Sequence, residues 1–163
     1  MPHCADDTSI GNKLINARCE TVHEKATFRQ AIKSRRCIVP ASGYYEWSTT
    51  PAGKIPHYIS LADGSPLSMA GIWETWKSPE GQAVETFAIL TTAANSLVTP
   101  LHNRMPVILH RTEFDYWLDR SVNDPHELQR LYQPYPAELM QEWEVTPKVN
   151  SAAYESEDCV RPL

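Results

Sequence analysis

Nowhere in its 163 residues does the chain hold an apolar run approaching the roughly 20 residues of a helical membrane span. Its opening, Met1-Pro2-His3-Cys4-Ala5-Asp6-Asp7, has neither the basic segment nor the apolar stretch of a secretory signal. A soluble, cytoplasmic protein with no membrane partner is the expectation. Cysteine is sparse, and Cys4, Cys19, Cys37 and Cys159 show neither the CxxC spacing of a zinc site nor a secretory context for disulfides. HxH and HExxH spacings are missing, as are GxGxxG and Walker loops, so neither a metal nor a cofactor is expected. The chain also lacks a GxSxG elbow, and Ser42-Gly43 does not supply one, so local motifs offer no nucleophilic serine.

What is present is enough for a packed core: 42% hydrophobic residues and five tryptophans in a length that fits a single domain over residues 1–163. The formal net charge is −5, but unevenly spread. Residues 1–60 hold 8 Lys+Arg against 5 Asp+Glu, whereas residues 61–163 hold 7 against 15. Because screening confines each charge to about 8–10 Å, a locally basic surface can guide a polyanion on an acidic protein. Lys25, Lys33 and Arg35 are read instead as a solvated helix face.

Residues 24–36 place Ala26, Phe28, Ala31 and Ile32 at helical spacing, predicting about three turns. Short apolar, β-branched or aromatic runs at 37–40, 44–48, 57–61, 67–76, 85–92 and 106–109 predict strands. Pro51-Ala52-Gly53, Ala62-Asp63-Gly64 and Ser78-Pro79-Glu80-Gly81 read as hairpin turns between them. Segments 112–118, with a hydroxyl N-cap, and 124–132, begun by Asp124-Pro125, read as surface helices. A turn of helix at 137–141 and a strand at 143–145 follow, and 151–163 reads as a frayed polar tail. The fold class is α+β: a largely antiparallel curved sheet or barrel-like β core with a few peripheral helices.

Three segments place chemically able side chains in apolar surroundings. Glu46 lies between Tyr45 and Trp47, where burial would raise its pKa toward useful acid/base range, although strand alternation could equally turn it to solvent. His102 occupies a loop entering a strand, where it could move protons or simply cap a turn. Asn16 and Arg18 alternate with Ala17, so an extended backbone would present a carboxamide and a guanidinium on one face, suited to a phosphate beside a sugar oxygen. Arg104 is one residue removed from His102 and could meet the same ligand, and Trp47 could stack on a base or serve the core.

In order along the chain, Ile10-Gly11-Asn12-Lys13-Leu14-Ile15-Asn16-Ala17-Arg18, Arg36-Cys37-Ile38-Val39-Pro40-Ala41-Ser42-Gly43-Tyr44-Tyr45-Glu46-Trp47, Ala70-Gly71-Ile72-Trp73, His102-Asn103-Arg104-Met105-Pro106 and Val145-Thr146-Pro147-Lys148-Val149-Asn150 resemble the SOS response-associated peptidase family of abasic-site processing proteins. The resemblance implies a mixed α/β fold with a positively charged channel for single-stranded DNA, in the bacterial cytosol or at the nucleoid. It implies a thiazolidine link, in which the α-amine of an N-terminal cysteine condenses with the ring-opened abasic aldehyde and the thiol closes the ring. It further implies self-processing peptidase and lyase activity. By motif, Glu46 matches the acid/base carboxylate, His102 the histidine that assists sugar ring opening, and Asn16 the asparagine that holds the cysteine end. Arg18 and Arg104 match phosphate-gripping arginines, and Trp47 and Thr91 match lining positions.

One departure accompanies the resemblance. Family members begin Met-Cys-Gly-Arg, whereas residue 2 here is Pro2 and Cys4 falls where the family usually has tryptophan. Two expectations stay open: a chain truncated relative to the family, or a sequence that omits an upstream part of the full chain. Its walls would be present and its nucleophile missing, leaving a non-covalent single-stranded DNA-binding module or remnant as the alternative. Either way the barrel would be open or else completed by another copy, and the oligomeric state is left undetermined.

Overall fold

The computed structural model describes residues 14–78 and 80–163. Cys4 and the opening segment, residues 10–13 of the leading motif and Pro79 of the expected turn lie outside the described residues. In chain order the elements are β1 (Asn16–Arg18), α1 (Ala31–Ser34), β2 (Arg36–Ala41), β3 (Tyr44–Thr50), β4 (Gly53–Leu61), β5 (Leu67–Lys77), β6 (Ala83–Ala93), β7 (Arg104–Pro106), α2 (Phe114–Leu118), α3 (Pro125–Gln129) and β8 (Met140–Glu144), joined by turns and 3₁₀ segments. The strands make a five-stranded sheet, ordered β1-β6-β5-β2 with β7 also on β6, and a three-stranded sheet ordered β3-β4-β8. β1 runs parallel to β6, while β3/β4, β4/β8 and β5/β6 are antiparallel. This is the α+β class, and among the described residues the strands close no barrel. No described helix is long and apolar enough to cross a membrane.

Contacts group the chain into two compact units. The first takes residues 14–39, Ser68–Thr92 and Pro106–Pro134. Strand alternation builds its core: Ala17, Ala70, Ile72, Ala88 and Leu90 turn to one side and pack with Phe28, Ile32, Trp117 and Leu128. Arg36, buried here, donates from its guanidinium to the carbonyls of Ile32, Lys33, Trp117 and Asp119, satisfying the exposed ends of α1 and α2. The second unit takes Pro40–Leu67, Ala93–Met105 and Tyr135–Leu163. One face of its sheet is aromatic, with Tyr58 lying 5.3 Å from Tyr45 and 5.5 Å from Trp143 between ring centroids.

Several expectations change, among them the turn of helix at 137–141, which gives way to β8 from Met140. The helix over 24–36 contracts to α1, because the carbonyls of Thr21 and Lys25 each accept two successive amides in separate single turns before the four-residue helix begins. The turn at 62–64 is flanked by strands as expected but is not a hairpin, since β4 and β5 enter different sheets. The N-terminus before α2 is capped by His110 and Glu113 in a reciprocal capping box rather than by the hydroxyl of Thr112. The tail is tied down, not frayed: Val160 O accepts from Trp143 Nε1, Cys159 O from Tyr45 Oη and Glu144 O from the Leu163 amide. The Val160 and Cys159 carbonyls complete polar tips of aromatic rings that would otherwise be left with water.

Candidate functional site

Glu46 is positioned by the β3–β4 hairpin of the second unit. Pro51 and Ala52 form its turn, Gly53 takes a positive φ of 127° that favours glycine, and the register sets Tyr44 opposite Ile59 and Glu46 opposite His57. The chain reaches β3 through Gly43, where a Cβ would stand 2.3 Å from the Tyr58 ring and 2.6 Å from the Ile59 carbonyl. Only glycine lets the strand approach that closely. Alternation then sends Tyr44, Glu46 and Ser48 to one face, and Tyr45 and Trp47 to the other.

Burial pushes the Glu46 carboxyl above the ordinary glutamate value, and His102 pulls it partly back. The Tyr44 hydroxyl, buried without a hydrogen-bond partner, is driven up by burial and further by the Glu46 charge. Both shifts run toward the neutral form, so Glu46 keeps its proton to higher pH than an exposed glutamate does.

The facing group is His102, half exposed, with Nδ1 3.9 Å from Glu46 Oε1. Its loop is held by Asn95, whose Oδ1 accepts from the Leu97 and Val98 amides and whose Nδ2 donates to Tyr135 O at 2.7 Å. The Val98 carbonyl then accepts from the His102 amide, and Ala94 donates to Asn103 O. The Arg104 amide donates to His102 Nδ1 at 3.1 Å, which leaves the proton of a neutral ring on Nε2. A protonated ring would instead direct its Nδ1–H at the Arg104 carbonyl, also 3.1 Å away, or at Glu46. The pair thus has two hydrogen-bond arrangements that differ by one proton, at a separation that a bound ligand could tighten.

Arg104 opens β7 from this same loop and is half-buried. Trp47 lies on the opposite face of β3 from Glu46, with Nε1 donating to Asn150 Oδ1 at 2.8 Å and its ring 6.4 Å from Tyr45. It holds the segment 147–150 rather than facing the carboxylate.

The remaining residues singled out in the sequence belong to the first unit. β1 is extended, with Asn16 and Arg18 exposed on either side of the buried Ala17. Its parallel register sets Asn16 beside Ile89, Ala17 beside Leu90 and Arg18 beside Thr91. Since Ala17 and Leu90 face the core, Asn16, Arg18 and Thr91 share the outer face. A carboxamide, a guanidinium and a hydroxyl side by side can accept and donate to a phosphate and a neighbouring sugar. Among the described residues no group of His, Cys, Asp or Glu is placed to hold a metal ion.

Two contributors escaped the sequence reading. Tyr44 looked like one more aromatic in a strand, and only the fold shows its hydroxyl buried beside Glu46. Asn95 was legible in principle, since Asn95-Ser96-Leu97-Val98 is an Asn followed by a turn whose amides it can cap.

The model of the SOS response associated peptidase (SRAP) family matches residues 1–152. The chain is similar to the abasic site processing protein YoqW of Bacillus subtilis, 42% identical over 161 residues spanning 98% of this chain and 72% of that protein. It is also similar to the abasic site processing protein HMCES of Gallus gallus, 30% identical over 179 residues, covering 97% of this chain and 53% of that protein. A crystal structure of a protein from Bacteroides thetaiotaomicron superposes with a TM-score of 0.91 and 35% identity, covering 99% of this chain and 73% of that one.

Proposed function

Because the chain belongs to the SOS response associated peptidase family, we propose that it processes abasic sites in single-stranded DNA, with Glu46 and His102 moving protons and Arg18 and Arg104 binding phosphates. An abasic sugar must open to its aldehyde before it can react with an amine, and opening transfers a proton from the anomeric hydroxyl to the ring oxygen. His102 is suited to one half of that exchange and a protonated Glu46 to the other. Condensation of the aldehyde with an N-terminal amine expels water, which Glu46 assists by protonating the departing hydroxyl; the adjacent thiol then adds to the imine carbon, closing the thiazolidine. Asn16 holds the amine end. Reversal runs the same steps backwards: the C–S bond breaks to restore the imine and free thiol, and water adds to the imine carbon with its proton passing to Glu46 before the amine departs. An imine at the sugar also permits the elimination by which a lyase cuts the strand. Self-processing that exposes such a cysteine belongs to the same proposal.

The observation that carries this reading is the half-buried Glu46, its carboxyl raised by burial and set against an imidazole 3.9 Å away on an Asn95-tied loop. The test is incubation with abasic single-stranded DNA, using the chain as it stands and a version preceded by Met-Cys-Gly-Arg and the family's leading segment, followed by a heat-denaturing gel. A heat-stable shifted band from the preceded version, lost with Glu46→Gln, supports the covalent chemistry. Salt-sensitive binding without a band from either places the protein as a non-covalent single-strand binder, and neither band nor binding ends the proposal.

A further inference from the structure

We propose that Ser48, His57 and Glu142 form a second, hydrolytic centre in which Ser48 is a nucleophile toward carboxylic esters. The three side chains come from three neighbouring strands. Ser48 Oγ lies 3.0 Å from His57 Nε2, and His57 Nδ1 lies 2.8 Å from Glu142 Oε2. Each ring nitrogen has the partner that acyl transfer requires. The carboxylate takes the Nδ1–H and so fixes the tautomer, leaving Nε2 with a lone pair directed at the serine hydroxyl. The His57 side chain is 10% exposed, which screens its ring from bulk water, while Ser48 and Glu142 remain half-buried at either end.

The sheet also leaves a free backbone donor beside the serine, which the proposed reaction assigns to the oxyanion. Pro56 O accepts from the Val145 amide, so residue 56 points its backbone toward β8, and its β3 partner Trp47 forms no ladder bond with β4. By the same alternation Thr49 directs its N–H to the outer edge of β3, and Thr49, next to Ser48, is exposed. In the reaction, Ser48 Oγ bonds to the ester carbonyl carbon as its proton passes to His57 Nε2. Collapse breaks the bond to the alkoxy oxygen, which leaves with that proton as the alcohol. Water then adds to the acyl-serine, giving its proton to Nε2, and departure of Ser48 Oγ with the proton releases the carboxylic acid. Ester and water become acid and alcohol, with no further reactant. His57 is the catalytic base and Glu142 a positioning residue. No local motif announces this centre, since its members are 9 and 85 residues apart along the chain.

A fluorophosphonate probe and p-nitrophenyl acetate test it without DNA. A probe adduct mapped to Ser48 by peptide mass is expected, with labelling that is suppressed in acid and disappears in Ser48→Ala. His57→Gln should slow labelling by about 100-fold or more. Because that buried substitution risks misfolding, Glu142→Gln is the second variant: the imidazole stays, and labelling should slow at least about tenfold, with the pH limb shifted. A Ser48 that reacts no faster than other surface serines, or equally fast in Glu142→Gln with an unaltered pH profile, would overturn the proposal and leave the three groups as a structural hydrogen-bond chain.

Discussion

Glu46 holds a proton more readily than a surface glutamate because desolvation penalises its anion more than His102 compensates. The same shift links it to stability. A carboxyl whose folded pKa lies above its unfolded value costs nothing while both states are protonated, and the fold loses stability as pH rises from the unfolded value through the raised one. Glu46→Gln keeps a neutral group at every pH. Its stability relative to the parent should therefore match near pH 4, rise across the window above the ordinary glutamate value, and level off beyond it. Urea unfolding of both proteins from pH 4 to 8 measures the difference; a flat difference contradicts a raised carboxyl. The same substitution should slow adduct formation by about 10²–10⁴-fold if the proton is used in chemistry.

At the scale of elements, the loop between β6 and β7 is the part of the site most dependent on one side chain. Asn95 caps two amides and reaches the Tyr135 carbonyl, so Asn95→Ala leaves buried groups without partners and should cost about 1–2 kcal/mol. If the proposed link forms in the version preceded by Met-Cys-Gly-Arg, its rate in Asn95→Ala should fall further than the lost stability explains, because His102 hangs from the same turn. Comparing rates at a temperature where both proteins are fully folded separates the effects, and an unchanged rate would remove the loop from the mechanism. This element also marks how far sequence pattern carries. Strands β2 to β6 were readable because their apolar alternation and turn residues are local properties, and the outward pairing of Asn16 with Arg18 followed from the two-residue strand period. What did not follow was partnership. Leu61 and Leu67 sit on either side of a sound turn, yet β4 takes β8 and β5 takes β6, because sheet pairing is decided by distant burial. The Glu46–His102 approach, the Tyr44 hydroxyl and the Ser48–His57–Glu142 chain belong to the same nonlocal class.

For the whole molecule, a formal charge of −5 would repel a polyanion if it were spread evenly, so binding to DNA must rest on a few well-placed cations. Arg18 stands on the outer face of the first unit beside Asn16 and Thr91, and Arg104 follows His102 in the second. Lys25, in contrast, lies on an exposed turn and reads in the sequence as part of a solvated face. If each arginine neutralises one phosphate, releasing its counterions, Arg18→Ala and Arg104→Ala should each flatten the plot of log affinity against log salt by about 0.7 for single-stranded DNA, and the double variant by about twice that. Lys25→Ala should leave the slope unchanged. Fluorescence anisotropy with a labelled abasic oligonucleotide across a salt series reads all four slopes. Equal loss from Lys25→Ala and Arg18→Ala would mean that binding follows diffuse basic charge instead of the two arginines, and the phosphate assignments would fall with it.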